Sequence, residues 1–229
     1  SADEVIAFIE EEKFKLHYIL ESHAHADHLS SSQVLADKFN AKIGIGAKIT
    51  IVQETFKAIF DLDEDFATDG SQFDILLNDG DVLNAGTLEF KVLHTPGHTP
   101  ADAAYLIDDV LFSGDSLFLP DSGTGRCDFP AGDATALYNS VSQKIYTLPN
   151  ETEIFVGHDY QAGGRELEYK TTVGESKAKN IQLQGDTDEA IFVDFRTKRD
   201  EKLSAPRLLF QSVQVNIDAG KLPAPNANG

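Results

Sequence analysis

Six consecutive residues, His23-Ala24-His25-Ala26-Asp27-His28, constrain the possible folds of this chain more than any other feature. They follow an apolar stretch, Leu16 to Leu20, that is typical of a β-strand. Imidazole and carboxylate side chains are the usual ligands of zinc and non-haem iron. Because side chains alternate along an extended backbone, His23 and His25 are expected on one side of it. The run is neither terminal nor homopolymeric, as a tag would be, so it predicts ligands around two adjacent metal positions.

The composition is that of a globular protein with an acidic surface. The 229 residues suffice for one sizeable domain, or for one domain with a small appendage. A formal net charge of −19 repels phosphate backbones and anionic lipids, which argues against nucleic acid and membrane surfaces as partners. An anionic small substrate would therefore need a local basic pocket. The single cysteine excludes an intrachain disulfide, which favours a cytoplasmic location.

Periodicity and turn residues predict an α/β chain with a mixed sheet rather than a wholly parallel one. Predicted helices begin at a capping Asp3 and cover Leu29–Phe39 (ending at Asn40), Ile49–Phe60 and Ala134–Thr147. Predicted strands are Lys15–Glu21, Lys42–Ile45, Leu88–His94, Ala103–Ile107, Val110–Ser113 and Glu153–Val156. Residues 61–81 are expected to form a solvated acidic loop, and residues 165–203 to be mostly helical. Residues 207–217 are apolar and are expected to close the core or a homodimer interface, followed by a frayed tail from Pro223.

Three later positions repeat the pattern of the histidine run, in which a strand and a turn precede a metal-capable residue. They are His98 after Pro96-Gly97, Asp115 after Gly114, and His158 after Gly157. Any one of them alone is more typical of a capping or surface residue. Together with the histidine run they predict one constellation of ligands at the ends of several strands.

Residues 23–158 contain four motifs in this order: His-x-His-x-Asp-His, Pro-Gly-His, Gly-Asp and Gly-His. Their order resembles the signature of the metallo-β-lactamase superfamily. The resemblance implies an αβ/βα sandwich of mixed sheets flanked by helices, with metal at one edge. It also implies a domain over residues 1–162, completed by a C-terminal helical and apolar segment over residues 163–229. In that family strands precede the first helix, whereas this chain lacks methionine and opens on the helix. We therefore expect that an N-terminal segment with those strands is missing.

Shorter segments distinguish the branches of the superfamily. Two segments resemble the persulfide dioxygenases and a closely related glyoxalase II-like group. They are Gly125-Arg126-Cys127-Asp128-Phe129 and Leu148-Pro149 before Gly-His-Asp-Tyr. That group is also similar to this chain in Gly163–Glu166, Thr172–Glu175 and Gln214–Asn216. The lactamases proper match less well, because their later zinc ligands and substrate loops are not recognisable.

The dioxygenase resemblance implies one Fe(II) per chain, held by His23, His98 and Asp115. Two histidines and one carboxylate leave positions open on the iron for O2 and a substrate sulfur. The implied substrate is a glutathione-type persulfide, which O2 would oxidise to sulfite and thiol. The remaining metal-capable residues would serve as hydrogen-bond partners in the outer shell. They are His25, Asp27, His28 and His158.

Every residue for a second chemistry is also present. Hydrolysis of a glutathione thioester, as in glyoxalase II, would use two zinc ions as Lewis acids. Implied ligands of the first zinc are His23, His25 and His98. Implied ligands of the second are Asp27, His28 and His158, with Asp115 bridging the two ions. The net charge argues against nucleic-acid processing, and the complete ligand set argues against a binding-only role.

Residues outside the ligand set also have predicted roles. Arg126 and Asp128 are expected to form a buried structural ion pair or hydrogen-bond network near the metal, with a catalytic role for Arg126 less favoured. Cys127 is expected to be a small core residue rather than a nucleophile. Tyr160 and Arg165 are candidates for contact with a thiol carrier such as glutathione.

Overall fold

The computed structural model describes residues 1–223 of the chain, and their helices and strands divide between two units. The first unit contains Ser1–Leu76 together with residues 204–223, and the second contains Leu77–Leu203. The domain boundary predicted after residue 162 differs from the boundary between these two units, and it stays a prediction. The frayed tail predicted from Pro223 onward lies, apart from Pro223 itself, outside the described residues.

Seven α-helices and nine strands follow one another along the described residues, together with two short 3-10 helices (Ile145–Thr147 and Ala162–Gly164). In chain order they are α1 (Ala2–Glu11), β1 (Tyr18–Leu20), α2 (Ser32–Phe39), β2 (Lys42–Gly46), α3 (Ile49–Phe60), β3 (Ile75–Leu77), β4 (Val82–Ala85), β5 (Leu88–His94), β6 (Ala103–Ile107), β7 (Val110–Phe112), α4 (Ala134–Gln143), β8 (Glu153–Phe155), β9 (Lys170–Thr172), α5 (Val173–Lys179), α6 (Glu189–Asp200) and α7 (Leu209–Asn216). No helix within residues 1–223 has the length and apolar character needed to cross a bilayer.

Both sheets have strand ends that carry the predicted ligands. The three-stranded sheet has the order β1-β2-β3, with β1 parallel to β2. The six-stranded sheet has the order β4-β5-β6-β7-β8-β9. Its neighbours are antiparallel except for β7 and β8, which are parallel. The prediction of an α/β chain with mixed sheets is therefore confirmed.

Long, strongly periodic elements lie where the sequence predicts them. The bounds of α3, β5 and β6 match the prediction to the residue. Asn40 ends α2 in the left-handed conformation, with φ of 52°, as expected of a C-terminal asparagine. However, α2 begins at Ser32 rather than Leu29, and the Ser30 backbone N–H ahead of it donates to the Asn216 side chain.

Three expectations about local structure are wrong. The acidic segment 61–81 contains β3, and the segment 165–203 contains β9 and irregular stretches as well as α5 and α6. Strands of three residues depend on cross-strand pairing, as between Lys170 and Phe155, more than on local pattern. Finally, Ser1 is the N-cap of α1, and Asp3 lies in its first turn.

Apolar side chains from the sheet and helices of the second unit form its core. Central members are Leu93, Leu111, Leu137, Ile154 and Phe192. Cys127 lies in this core, where burial raises the pKa of its thiol far above the usual range, so the prediction of a core role is confirmed. In the first unit, Val213, Val215 and Ile217 are buried, so the apolar C-terminal segment does contribute to a core.

Candidate functional site

The histidine run forms an irregular loop between β1 and α2, in which its side chains converge. The ring centroids of His23 and His25 lie 4.1 Å apart, and those of His25 and His28 lie 4.2 Å apart. His25, Asp27 and His28 each offer one ligand atom, and these three atoms lie within 4.8 Å of one another. His23 is buried, whereas Asp27 and His28 are exposed. The loop therefore holds one buried donor, His23, one half-buried donor, His25, and two exposed donors, Asp27 and His28.

His98 lies in the second unit, on the turn that follows β5, and its ring orientation is fixed by the backbone. Its Nδ1 lies 2.7 Å from the carbonyl oxygen of Arg126. A carbonyl can only accept a hydrogen bond, so Nδ1 carries the proton and Nε2 keeps its lone pair. Nε2 faces the carboxylate of Asp115 at 3.7 Å. His98 is therefore held in the tautomer that a metal ligand requires.

Asp115 follows β7 and lies between two imidazoles. Its Oδ2 is 3.7 Å from His98 Nε2, and its Oδ1 is 3.7 Å from His158 Nε2. These separations exceed a hydrogen bond. Bonds of roughly 2.0–2.2 Å to one metal ion would place two donor atoms roughly 3–4 Å apart. The donor types and their spacing in this unit therefore fit a metal ion.

Two glycines let neighbouring backbone approach Asp115 closely. A Cβ on Gly125 would lie 2.1 Å from the Asp115 carbonyl oxygen, and a Cβ on Gly157 would lie 2.8 Å from Asp115 Oδ1. The Gly125 N–H donates to that same carbonyl oxygen at 3.0 Å. Both glycines are thus required by the close approach of neighbouring strand ends.

Gly157→Ala is expected to weaken metal binding by about 10–100-fold, the range for disturbed partners of a ligand. The added methyl would meet Asp115 Oδ1 and push the carboxylate out of position. Zinc affinity measured by competition with a chelator checks this. Gly185→Ala is the matched control, because its Cβ would meet Lys177 at an ordinary 3.5 Å. Equal zinc affinities in the two variants would contradict the prediction.

Arg126 and Asp128 form the predicted ion pair, although both side chains are only partly buried. Arg126 Nε lies 2.5 Å from Asp128 Oδ1, and Nη2 lies 2.6 Å from Oδ2. The hydrogen bond to Asp128 raises the pKa of the Arg126 guanidinium. The guanidinium carbon also lies 5.2 Å from the centre of the Phe129 ring, which packs edge-on against His98. The ion pair thus stabilises the segment that contains the Arg126 carbonyl, which orients His98.

Tyr160 and Arg165 follow the last predicted ligand but differ in their surroundings. The Tyr160 side chain is exposed and stacks on His158, with ring centroids 5.9 Å apart. Arg165 forms ion pairs with Asp121 and Asp159, each at 2.7 Å. Its guanidinium holds the pKa of the Asp159 carboxyl well below its usual range. Their contact with a substrate stays a prediction.

Sequence reasoning missed Asp102, which fixes the turn after His98. Its buried carboxylate accepts hydrogen bonds from the Thr99 backbone N–H at 2.7 Å and from the Thr99 hydroxyl at 2.8 Å. Burial raises the pKa of this carboxyl to about 6. The sequence signal that could have identified Asp102 is its position four residues after the predicted ligand His98.

Sequence reasoning also missed Glu21 and Asn216, which contact the histidine loop in the first unit. Glu21 accepts hydrogen bonds from the hydroxyls of Ser30 in that loop and of Ser32 at the start of α2. The Asn216 side chain bonds to the backbone of three loop residues. Glu21 could have been suspected as a carboxylate beside the first histidine, and Asn216 as the last residue of the Gln214–Asn216 segment.

A family model described as the metallo-β-lactamase superfamily matches residues 1–158. A glyoxylase B2 of Dictyostelium discoideum is 45% identical over all of this chain and 78% of its own length. A β-lactamase hydrolase-like protein of Xylella fastidiosa is 44% identical over all of this chain, which spans only 52% of that relative. The mitochondrial persulfide dioxygenase ETHE1 of Homo sapiens is 31% identical over 93% of this chain and 72% of its own length.

A solved structure also matches this chain. The crystal structure of ETHE1 from Myxococcus xanthus matches with a TM-score of 0.78 and 28% identity. The match covers 96% of this chain and 84% of that one. The fold, with its mixed sheets and flanking helices, agrees with the family model and with the relatives. The chain belongs to the metallo-β-lactamase superfamily.

Proposed function

We propose that the protein is a persulfide dioxygenase that holds one Fe(II) per chain. His23, His98 and Asp115 would bind it. The substrate would be a glutathione-type persulfide. One persulfide, one O2 and one water would yield one thiol, one sulfite and two protons. The proposal is supported by the two-histidine, one-carboxylate donor set and by similarity to the human persulfide dioxygenase.

The observation that carries this proposal is the unequal burial of the donors. His23, His98 and Asp115 are 2%, 5% and 9% exposed. The side chains of Asp27 and His28, which a second metal would need, are 43% and 48% exposed. Buried donors hold a metal in fixed geometry and limit its access to water. The burial pattern thus favours one tightly held ion over two equal ones.

When bound, ferrous iron would supply the redox chemistry by which O2 oxidises the persulfide sulfur. The protein itself fixes the donors. The Arg126 carbonyl keeps the proton of His98 on Nδ1, and Asp115 provides a negative charge that does not oxidise readily. The Cys127 thiol is buried with a raised pKa, so it stays protonated and unreactive.

The substrate's thiol carrier would lie against the exposed side of this centre. Tyr160 offers an exposed ring next to His158, and both pack against Phe118. Arg165 is the cation in this segment, and it is flanked by Asp121 and Asp159. It would bind a carrier carboxylate by exchanging one of those partners. The net charge of −19 makes such a local cation necessary for an anionic carrier.

Hydrolysis of a glutathione thioester by two zinc ions is the second candidate. One observation favours it: the Nδ1 atom of His25 is buried and has no hydrogen-bond partner among the described residues. Such an atom suits a metal ligand. In that case His23, His25 and His98 would bind one zinc, Asp27, His28 and His158 the other, and Asp115 would bridge them. Similarity to the Dictyostelium glyoxylase B2 also supports this candidate.

Fe(II)-loaded protein, prepared without oxygen, is expected to consume O2 and release sulfite when glutathione persulfide is added. An oxygen electrode measures the O2 consumed, and a sulfite assay measures the sulfite formed. Protein loaded with Zn(II) is the control and is expected to leave O2 unchanged, because zinc has no redox chemistry. Absence of O2 uptake, combined with rapid cleavage of a glutathione thioester, would refute the dioxygenase and support the hydrolase.

A homodimer and a cytoplasmic location remain further proposals. The first is supported by Phe210 in the apolar C-terminal segment, which is largely exposed while its neighbours Val213 and Val215 are buried. The second is supported by the single buried cysteine.

A further inference from the structure

We infer that Glu21 is a positioning residue that holds the His25 ring as its Nε2–H tautomer and so presents the Nδ1 lone pair to a metal ion. Glu21 Oε2 lies 3.4 Å from His25 Nε2, and both side chains are largely buried. An ionised carboxylate can only accept a hydrogen bond, so its position opposite Nε2 favours a proton on that nitrogen. This inference deepens the two-metal candidate, in which His25 is a ligand, and rests on it for one of two readouts.

The Glu21 carboxylate is itself fixed in the loop. Its Oε1 accepts hydrogen bonds from the hydroxyls of Ser30 and Ser32. The other oxygen, Oε2, is thereby turned toward His25. A buried carboxylate with defined partners on both oxygens has little freedom to release the imidazole. The orientation of the His25 ring is therefore set by a side chain just outside the histidine run.

The consequence appears on the opposite side of the His25 ring. Nδ1 is buried without a hydrogen-bond partner in the described part of the chain. A buried nitrogen in that state destabilises the fold unless something binds it. One ligand atom of each of His25, Asp27 and His28 lies within 4.8 Å of the others, so His25 belongs to a cluster of metal-capable side chains. A carboxylate behind a histidine that binds a metal is a common way to orient that ligand.

Asn216 fixes the backbone of the same loop. Its Nδ2 donates to the carbonyl oxygens of His25 and His28, each at 2.8 Å. Its Oδ1 accepts from the Ser30 N–H at 2.9 Å. Glu21 therefore sets the ring, while Asn216 sets the backbone that carries it.

Histidine tautomers in the metal-free full-length chain test the inference without any reaction. Two-bond proton–nitrogen spectra of protein labelled with nitrogen-15 distinguish protonated from unprotonated ring nitrogens, and His25→Gln assigns the His25 signals. We expect the Nε2–H form in the parent protein and a mixture of tautomers in Glu21→Ala. Glu21→Gln should retain the Nε2–H form, because its amide oxygen still accepts. An Nδ1–H form in the parent, or an unchanged pattern in Glu21→Ala, would overturn the inference.

The second readout is the zinc affinity, measured by isothermal titration calorimetry. Glu21→Ala is expected to weaken one zinc-binding step by about 10–100-fold. Glu54→Ala, at an exposed glutamate of α3, is the control and should bind zinc as the parent does. Equal zinc affinities in Glu21→Ala and Glu54→Ala would overturn the inference. If the parent bound no metal at all, the proposed function would fail while the tautomer spectra still decided the role of Glu21. If Glu21→Ala did not fold, the parent and Glu21→Gln spectra would decide it.

Discussion

Asp115→Ala is expected to remove the bound iron and with it all measurable O2 consumption. The substitution deletes the only anionic donor of the proposed ligand set, between the imidazoles of His98 and His158. Loss of an outer-shell partner already costs about 10–100-fold in metal affinity, so loss of a direct ligand should exceed about 100-fold. Metal content per chain, measured after gel filtration, checks this result. Asp109→Ala, at an exposed aspartate in the turn between β6 and β7, is the matched control.

His158→Ala separates the two proposed chemistries. If one iron is held by His23, His98 and Asp115, this variant should keep about one metal per chain. Loss of all metal in both His158→Ala and Asp115→Ala would instead argue for two interdependent metal positions. Retention of iron by Asp115→Ala would show that the proposed ligand set is wrong.

Asp200→Ala is expected to lower the free energy of unfolding by about 3–5 kcal/mol, because it leaves a buried cation without its counter-ion. The Arg196 and Asp200 side chains are only 1% and 4% exposed, and Arg196 Nε lies 3.0 Å from Asp200 Oδ1. Asp200 also accepts the Cys127 backbone N–H at 2.8 Å. A loss of this size is a large share of the roughly 5–15 kcal/mol typical of folded domains. Urea denaturation of the metal-free protein measures it.

Asp194→Ala on the same helix is the matched control. Asp194 pairs with Lys198 at the same spacing of four residues, but these side chains are 62% and 67% exposed. An exposed pair of this kind contributes about 0.3–0.5 kcal/mol. If Asp194→Ala and Asp200→Ala changed stability equally, burial would not be the cause. Replacing both Arg196 and Asp200 by apolar residues should restore much of the loss, since no unpaired charge would remain.

Elements with strong local patterns were predictable from the sequence. The α3 helix and the strands β5 and β6 have apolar spacing that specifies their type and their ends. The strands β3 and β9 were missed, because three residues carry too little periodicity and β9 forms by pairing with β8. The start of α2 was misplaced, and the residues ahead of it are held by a distant contact, from the Ser30 N–H to the Asn216 side chain.

The candidate metal ligands were predictable because they are identified by residue type and by position after a strand, both of which are local properties. The sequence by itself therefore determined which donors are available, namely the histidine run, His98, Asp115 and His158. Only the tertiary structure decided how those donors are oriented. The Arg126 carbonyl that orients His98 is a backbone group, which no residue pattern reveals. Glu21 and the distant Asn216 act on the histidine loop through contacts that exist only once the chain has folded.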